Sequence, residues 1–157
     1  MMVIMIKMDH STFVYSIYIE TTLEQLWDAL TKGEITCQYW YGRRIDSDWK
    51  ISSPVTIWLN YGQDIDMSGK VLEYQPLHRL SFSWNTHTDT GSKQDSPSRV
   101  IFDLESLGSV IKCTVTHDEL QAGDMPSVGI SEGWPIIMCS LKSFLETGKP
   151  LSITSNS

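Results

Sequence analysis

The sequence is short of basic residues, and this shortage limits the partners it can have. Lysine and arginine number 12 against 19 aspartates and glutamates, so the formal net charge is −7. A chain with this balance is repelled by nucleic acid and by anionic lipid surfaces unless a local basic patch overrides it. Arg43 and Arg44 form the only adjacent basic pair in the sequence. We therefore expect no nucleic-acid partner.

Long apolar runs and paired cysteines are also missing. The apolar start "MMVIMI" is interrupted by Lys7 and Asp9, which leaves it too short to span a bilayer, and we expect no membrane insertion. The three cysteines are odd in number and far apart, unlike the ligands of a zinc site or a disulfide framework. Reduced thiols are typical of a cytoplasmic protein, and that is the location we expect.

The common motifs of catalysis and cofactor binding are absent from the sequence. There is no glycine-rich phosphate loop followed by a helix and no nucleophile elbow. The four histidines are too scattered to suggest a metal site: His10, His78, His87 and His117. We expect no cofactor and no metal, and the sequence favours a binding protein over an enzyme.

What is present fits one folded domain with short ends. The length is sufficient to bury a core without metal or disulfide support. We divide the chain into an N-terminal arm (1–11), a single domain (12–150) and a C-terminal tail (151–157). The polar run over 86–97 is the longest predicted loop.

Two short helices are predicted after a first strand over 12–20. The segment Thr21-Thr-Leu-Glu24 matches a capping box, with Thr21 as the N-cap of the first helix. Gly33 is expected to end that helix, and a second helix is predicted over 34–40.

The middle of the chain predicts an antiparallel sheet with one apolar face. Short turns separate strands predicted over 44–50, 55–60, 67–74, 78–85, 98–105 and 110–120, which together with the first strand make about seven. Alternation places these side chains on the buried face: Leu80, Phe82, Trp84, Val100, Phe102, Leu104, Ile111, Cys113, Val115 and His117.

A long amphipathic helix is predicted at the end of the domain, over 133–148. Pro135 is expected in its first turn and Gly148 just past its end. Its apolar stripe consists of Trp134, Ile137, Met138, Leu141, Phe144 and Leu145. A single apolar sheet face needs a cover, so we expect an α+β fold in which a curved sheet wraps around this helix.

Four segments together resemble the activator of heat-shock protein 90 ATPase homologue family. They are "LWDALTKGE…YWYG", "GKVLEYQPLHRLSFSW", "HDEL" and "GWPIIMCSLKSFLETG", in the family's order from about residue 12 to residue 150. This family belongs to the START-like (SRPBCC) helix-grip superfamily. The resemblance implies a seven-stranded antiparallel sheet around a long C-terminal helix, with a cavity between them.

The resemblance also implies candidate functions of three classes. Relatives across the superfamily bind lipids, sterols, hormones or polyketides, which favours a small hydrophobic ligand held between sheet and helix. The namesake activity implies a second possibility, a co-chaperone-like domain that contacts heat-shock protein 90 or another protein. A cyclase-like or hydrolase-like enzyme is the third. The size of the cavity separates the first two possibilities, and a convergent polar pair near His117 favours the third.

The candidate ligand-binding residues are those that parity or helical spacing directs towards the space between sheet and helix. Tryptophan supplies a large apolar area and one N–H donor, and methionine adapts to irregular shapes. His117 is the ionisable group on the buried face, although a bonded strand-end histidine fits the same pattern. The predicted pocket contains Trp84, Phe102, His117, Trp134, Met138 and Leu141, with Trp40 and Trp58 as further candidates.

Overall fold

Eleven elements follow one another along the described part of the chain. The computed structural model describes residues 6–8, 12–86, 97–120 and 128–152, with side chains described for 12–85, 97–120 and 133–152. Residues 87–96 of the predicted loop, and much of the predicted arm and tail, lie outside these residues. The elements are β1 (Ile6–Met8), β2 (Phe13–Ile19), α1 (Leu23–Thr31), α2 (Gly33–Tyr39), β3 (Arg44–Ser47), β4 (Pro54–Leu59), β5 (Asp64–Gln75), β6 (Arg79–Thr86), β7 (Ser98–Ser106), β8 (Ile111–Asp118) and α3 (Val128–Thr147).

All the strands join one antiparallel sheet, in the order β1-β2-β8-β7-β6-β5-β4-β3. Among the described strands, only β2 pairs with one that is distant in sequence: two helices and five strands separate it from its partner β8. The seven predicted strands are confirmed. The sheet gains an eighth strand at its edge, where the three residues of β1 pair with Phe13, Val14 and Tyr15.

One face of the sheet supplies most of the core. In β8 every second residue is buried, from Ile111 through Cys113 and Val115 to His117. This alternation is the pattern expected when a sheet buries one face and exposes the other to solvent. The predicted buried face is confirmed for the central strands.

The pairing of β5 with β6 is irregular at two places. Gly69 lies so close to β6 that a Cβ atom built on it would come within 1.8 Å of the Ser83 carbonyl oxygen. The pairing register of β5 also shifts between Val71 and Glu73, which is a bulge. Bulges and close approaches of this kind increase the local twist of a sheet. They help it to curve around a helix.

The two short helices form as predicted, but their caps differ. The N-cap of α1 is Thr22, whose hydroxyl accepts a hydrogen bond from the Gln25 backbone N–H at 3.1 Å. The N-cap is therefore one residue later than the predicted Thr21, whose hydroxyl donates to Gln25 Oε1 at 3.0 Å instead. Gly33 does not end α1; it is the first residue of α2, packed against the Ile45 backbone.

The long helix α3 packs on the inner face of the sheet, as predicted. Its described contacting side chains include Trp134, Met138 and Leu141, which are all buried. Lys142 also donates to the Tyr18 carbonyl oxygen at 2.6 Å and ties the helix to β2. The helix begins at Val128 rather than at 133, so Pro135 lies in its second turn and not in its first.

The C-terminal end of α3 agrees with the sequence. Gly148 adopts a φ of +84°, and its N–H donates to the Phe144 carbonyl oxygen at 2.8 Å. A left-handed glycine is the common way to end a helix. Among the described residues, no helix is both long enough and apolar enough to cross a membrane.

Candidate functional site

Most of the space between sheet and helix is filled by side chains. Phe102, Met138 and Leu141 are almost completely buried, and Phe102 packs against Phe82 with ring centroids 6.3 Å apart. None of the three is among the residues that line the cleft described below. Their role as pocket residues therefore stays a prediction.

We use "seam" for the contact between α3 and the sheet. A cleft, called the Trp84 cleft below, opens at one end of this seam, where α3 meets β6, β8 and the end of α2. Its volume is about 280 Å³. Ligand pockets range from about 300 to 1,000 Å³, so the volume of this cleft lies just below that range. The described residues that line it are Trp40, Tyr41, Arg43, Asp66, Trp84, His117, Gly133, Trp134, Ile136 and Ile137.

Four of the predicted site residues meet in this cleft, and Trp134 is at their centre. The Trp134 ring lies 5.7 Å from the ring of Trp40 and 5.7 Å from that of Trp84, measured between centroids. The His117 ring lies 5.4 Å from that of Trp84. Aromatic pairs at these separations and tilted angles are favourable beyond the area that they bury. The rings of Trp40, Trp84 and Trp134 therefore pack together along one side of the cleft, and we call these three residues the aromatic wall.

Trp58, in contrast, does not line the cleft. It is half-buried on β4, after the inward-facing Val55 and Ile57. The alternation of β4 continues to this residue, so Trp58 lies on the face opposite that of Ile57. Trp58 is not among the residues that line this cleft, and its assignment as a pocket residue stays a prediction.

A directed chain of hydrogen bonds fixes the protonation of His117. The Trp134 indole N–H donates to His117 Nδ1 at 3.1 Å. An indole nitrogen can only donate, so Nδ1 carries no hydrogen and the neutral ring holds its proton on Nε2. His117 Nε2 and Ser98 Oγ are 2.7 Å apart, and Ser98 Oγ in turn donates to the Trp84 carbonyl oxygen at 3.3 Å. The imidazole therefore donates to the serine hydroxyl.

Burial keeps His117 in this neutral form. The side chain has no exposed surface, and desolvation lowers the pKa of His117 to about 4 from an ordinary value of 6.5. The nearby Asp118 raises the pKa, but by less than desolvation lowers it. A charged imidazolium would also lose the bond from Trp134, because Nδ1 could no longer accept. At neutral pH His117 is an uncharged structural connector.

Ser98 is the member of this network that the sequence analysis missed. It lies on β7 with the same parity as Val100, opposite Trp84 on β6. Extending the alternation of β7 by one step would have placed it on the buried face beside His117. The resulting serine–histidine pair resembles a nucleophile and its base. However, the proton on His117 Nε2 points towards the serine oxygen, where a base would need a free lone pair. His117 cannot take the hydroxyl proton while its own Nε2–H faces the serine.

An ion pair stands beside the aromatic wall. Arg43 Nε donates to Asp66 Oδ2 at 2.9 Å, and both side chains are partly exposed in the cleft. The adjacent Arg44 points elsewhere and lies 4.0 Å from Glu34. The two arginines that are adjacent in the sequence therefore lie on different parts of the surface, and only Arg43 lines the cleft.

Two other depressions are larger but more polar. One of about 360 Å³ is bordered by the stacked pair Trp27 and Tyr74 and by Trp49, together with the charged side chains of Asp28, Lys32, Glu34, Arg44 and Asp46. The other, of about 490 Å³, runs along the Glu20–Glu24 turn and the β7–β8 connection. Binding sites are predominantly apolar with a few polar groups, and the Trp84 cleft fits that description best.

A search for metal ligands gives no candidate. Within the described ranges, no group of three or more histidine, cysteine, aspartate or glutamate side chains is arranged to hold an ion. The three cysteines are free thiols, and burial raises the pKa of the Cys113 thiol to about 12.

Comparison with known proteins supports the fold over nearly its whole length. The model of the family described as "Activator of Hsp90 ATPase homolog 1-like protein" matches residues 20–146. No curated protein matches the sequence.

Several solved structures share the architecture. A protein from Arthrobacter aurescens has a TM-score of 0.76 at 12% identity and covers 98% of each chain. The protein MLL2253 from Mesorhizobium loti has a TM-score of 0.72 at 23% identity over 86% of this chain and 96% of its own. The Aha1 dimer from Colwellia psychrerythraea has a TM-score of 0.70 at 19% identity over 88% of this chain and 98% of its own.

Proposed function

Because this chain belongs to the Activator of Hsp90 ATPase homolog 1-like family, which has a helix-grip fold, we propose that it binds a small hydrophobic ligand in the Trp84 cleft. The observation that carries the proposal is the aromatic wall formed by Trp40, Trp84 and Trp134. Flat rings meeting at tilted angles present faces and edges on which a planar apolar molecule can stack.

The geometry of the cleft limits the size and shape of the ligand. A volume of about 280 Å³ suits one fused ring system and excludes a sterol or a long acyl chain lying wholly inside. Ile137 supplies an aliphatic surface next to the rings, and the Arg43–Asp66 pair supplies the polar groups. The ligand would therefore bury a compact aromatic part against Trp84 and direct its polar part towards the ion pair.

Calorimetric titration with naphthylethanol tests this proposal directly. We expect saturable binding with one site, and we expect Trp84→Ala to weaken it by about tenfold, since stacked rings contribute roughly 1 kcal/mol beyond buried area. Trp27→Ala is the matched control, because Trp27 belongs to the other aromatic cluster, and it should leave the affinity unchanged. Absence of binding to the folded wild-type protein would refute the proposal.

Native mass spectrometry of the purified protein complements the titration. A small molecule retained from the cell would appear as a discrete mass added to the 17.9 kDa chain. We expect the added mass to disappear in Trp84→Ala and to persist in Trp27→Ala.

A second candidate function is contact with a chaperone of the heat-shock protein 90 type. Two tyrosines at the edge of the cleft region favour it: Tyr41 is 42% exposed and Tyr61 is 73% exposed, and both have positive φ angles. Non-glycine residues held in this conformation cost free energy and tend to occur at functional sites. The Tyr61 N–H donates to the Gly42 carbonyl oxygen at 2.8 Å, which couples the two turns.

Stimulation of a purified heat-shock protein 90 ATPase tests this second candidate. If the tyrosines form the contact, Tyr61→Ala should abolish the stimulation without altering naphthylethanol binding. Equal stimulation by the wild type and by Tyr61→Ala would show that the contact lies elsewhere, and no stimulation at all would remove the candidate.

The third class, an enzyme acting through His117, has less support. Both ring nitrogens of His117 are bonded, and the ring donates to Ser98 instead of accepting from it. A general base needs a free lone pair facing the proton that it removes. We therefore assign His117 and Ser98 to the support of the aromatic wall.

A further inference from the structure

The cleft contains one side chain suited to binding a charged group, and it is Arg43. Its position is fixed by a tight turn, in which the Arg43 N–H donates to the Trp40 carbonyl oxygen at 3.0 Å. Tyr41 and Gly42 in this turn both have positive φ angles, +50° and +84°. The turn carries the chain directly from the aromatic wall to the guanidinium.

The single bond to Asp66 orients Arg43 and leaves most of its donors available. In the described part of the chain, the hydrogen bond from Arg43 to Asp66 uses Nε alone. The two terminal NH₂ groups, with four N–H donors in a plane, make no hydrogen bond to a described residue. This terminal edge matches the two oxygens of a carboxylate, which arginine binds with two parallel hydrogen bonds. Asp66 thus acts as a positioning residue for Arg43.

From this geometry, and resting on the proposed function of the cleft, we infer that the ligand is an aromatic carboxylate or a similar ring-bearing anion. Its ring stacks against Trp84, and its anionic group pairs with the terminal edge of Arg43. The net charge of −7 disfavours anions at long range, but such repulsion between exposed charges is screened at physiological salt. A direct charge-assisted pair is screened much less.

The other polar groups of the cleft do not offer an equivalent site. The Trp134 N–H is already donated to His117, and the His117 ring has both nitrogens bonded. Asp66 could attract a cation, but Arg43 is permanently charged and lies 2.9 Å from it, so a cation would meet a fixed positive charge. The anion is therefore the ligand for which the cleft has an unused partner.

Three probes that share a ring and differ in charge test the inference. Naphthylacetate is anionic, naphthylethanol is neutral and naphthylethylamine is cationic at neutral pH. A charge-assisted bidentate pair should make naphthylacetate bind about tenfold more tightly than naphthylethanol, with naphthylethylamine weakest. In Arg43→Gln the preference for naphthylacetate over naphthylethanol should vanish, because the positive charge that distinguishes the two probes is removed.

Arg44→Gln is the matched control, since it removes the same charge from the neighbouring position without touching the cleft. It should preserve the preference for naphthylacetate. Equal affinity for the anionic and neutral probes in the wild type would overturn the anion inference and leave the hydrophobic cleft standing. Tighter binding of naphthylethylamine would overturn it in favour of Asp66. If none of the three probes binds, the proposed function itself fails.

Discussion

The two parts of the helix–sheet seam differ sharply, although one helix contributes to both. In the sealed part, Met138 and Leu141 are 1% and 0% exposed against sheet residues. In the open part, one turn earlier, Trp134 faces a cleft and binds a buried histidine. The sealed part follows from hydrophobic burial alone. The open part keeps a polar network in the interior, which costs desolvation and is retained only when each member is bonded.

A ligand can reach the open part of the seam but not the sealed part, so the open part is the candidate binding site. The resemblance to the family predicts a cavity between sheet and helix. Among the described residues, the cleft that the structure shows there lies at one end of the seam, next to a turn with positive φ angles and an ion pair.

Leu141→Asp should prevent folding. The change places a carboxylate in the sealed part of the seam with no partner, at an expected cost of more than about 4 kcal/mol. Circular dichroism should show no cooperative thermal transition. Ile136→Asp is the control on the same helix, because Ile136 is 40% exposed, and its melting temperature should stay close to that of the wild type. A folded Leu141→Asp variant would mean that α3 does not pack against the sheet through Leu141.

Stability should fall at acidic pH because His117 is buried in its neutral form. Its pKa is about 4 when folded and about 6.5 when unfolded, so the unfolded chain binds an extra proton between these values. The free energy of unfolding should therefore be unaffected by His117 above pH 6.5. It should drop as the pH falls from about 6.5 to about 4, by up to about 3 kcal/mol.

Denaturant unfolding at a series of pH values measures this effect. His117→Gln should flatten the dependence in that window, whereas His78→Gln, at an exposed position, should not. Should both variants keep the wild-type slope, other groups would account for the acid sensitivity, and the account of a neutral His117 would be wrong.

Gly133→Ala should make the protein slightly more stable and should weaken ligand binding. Gly133 lies in α3, and a Cβ built on it meets nothing within 4 Å. Replacing a helical glycine by alanine stabilises a protein by roughly 0.5–1 kcal/mol, so the melting temperature should rise. The added methyl group projects from a residue that lines the cleft, so naphthylethanol should bind more weakly. Stabilisation without any loss of affinity would place the ligand away from α3.

The sequence predicted the order of elements and the buried faces because periodicity reports directly on burial. Alternation placed Trp84 and His117 on the inner face, and helical spacing placed Trp134 opposite them. Their meeting follows from the two patterns together. The same rules also directed Phe102, Met138 and Leu141 inward, but they could not tell whether an inward side chain is sealed or faces a space.

The directions of the two arginines depended on local geometry that spacing does not contain. Arg43 and Arg44 are neighbours in sequence, and only the turn after α2 sends one to the cleft and the other towards Glu34. Turns are set by backbone conformations that many sequences can adopt. Trp58 was named as a candidate for its residue type alone, although alternation from the buried Val55 and Ile57 directs it to the other face of the sheet.

The most direct test of the cleft uses the six tryptophans as reporters. Each indole N–H gives its own NMR signal, which can be assigned with single Trp→Phe variants. Three tryptophans line the cleft (Trp40, Trp84 and Trp134) and three do not (Trp27, Trp49 and Trp58). On titration with naphthylethanol we predict that the signals of the first three shift in a saturable manner while the others stay in place. Shifts confined to Trp27, Trp49 or Trp58, or no shift in any of the six, would contradict the account.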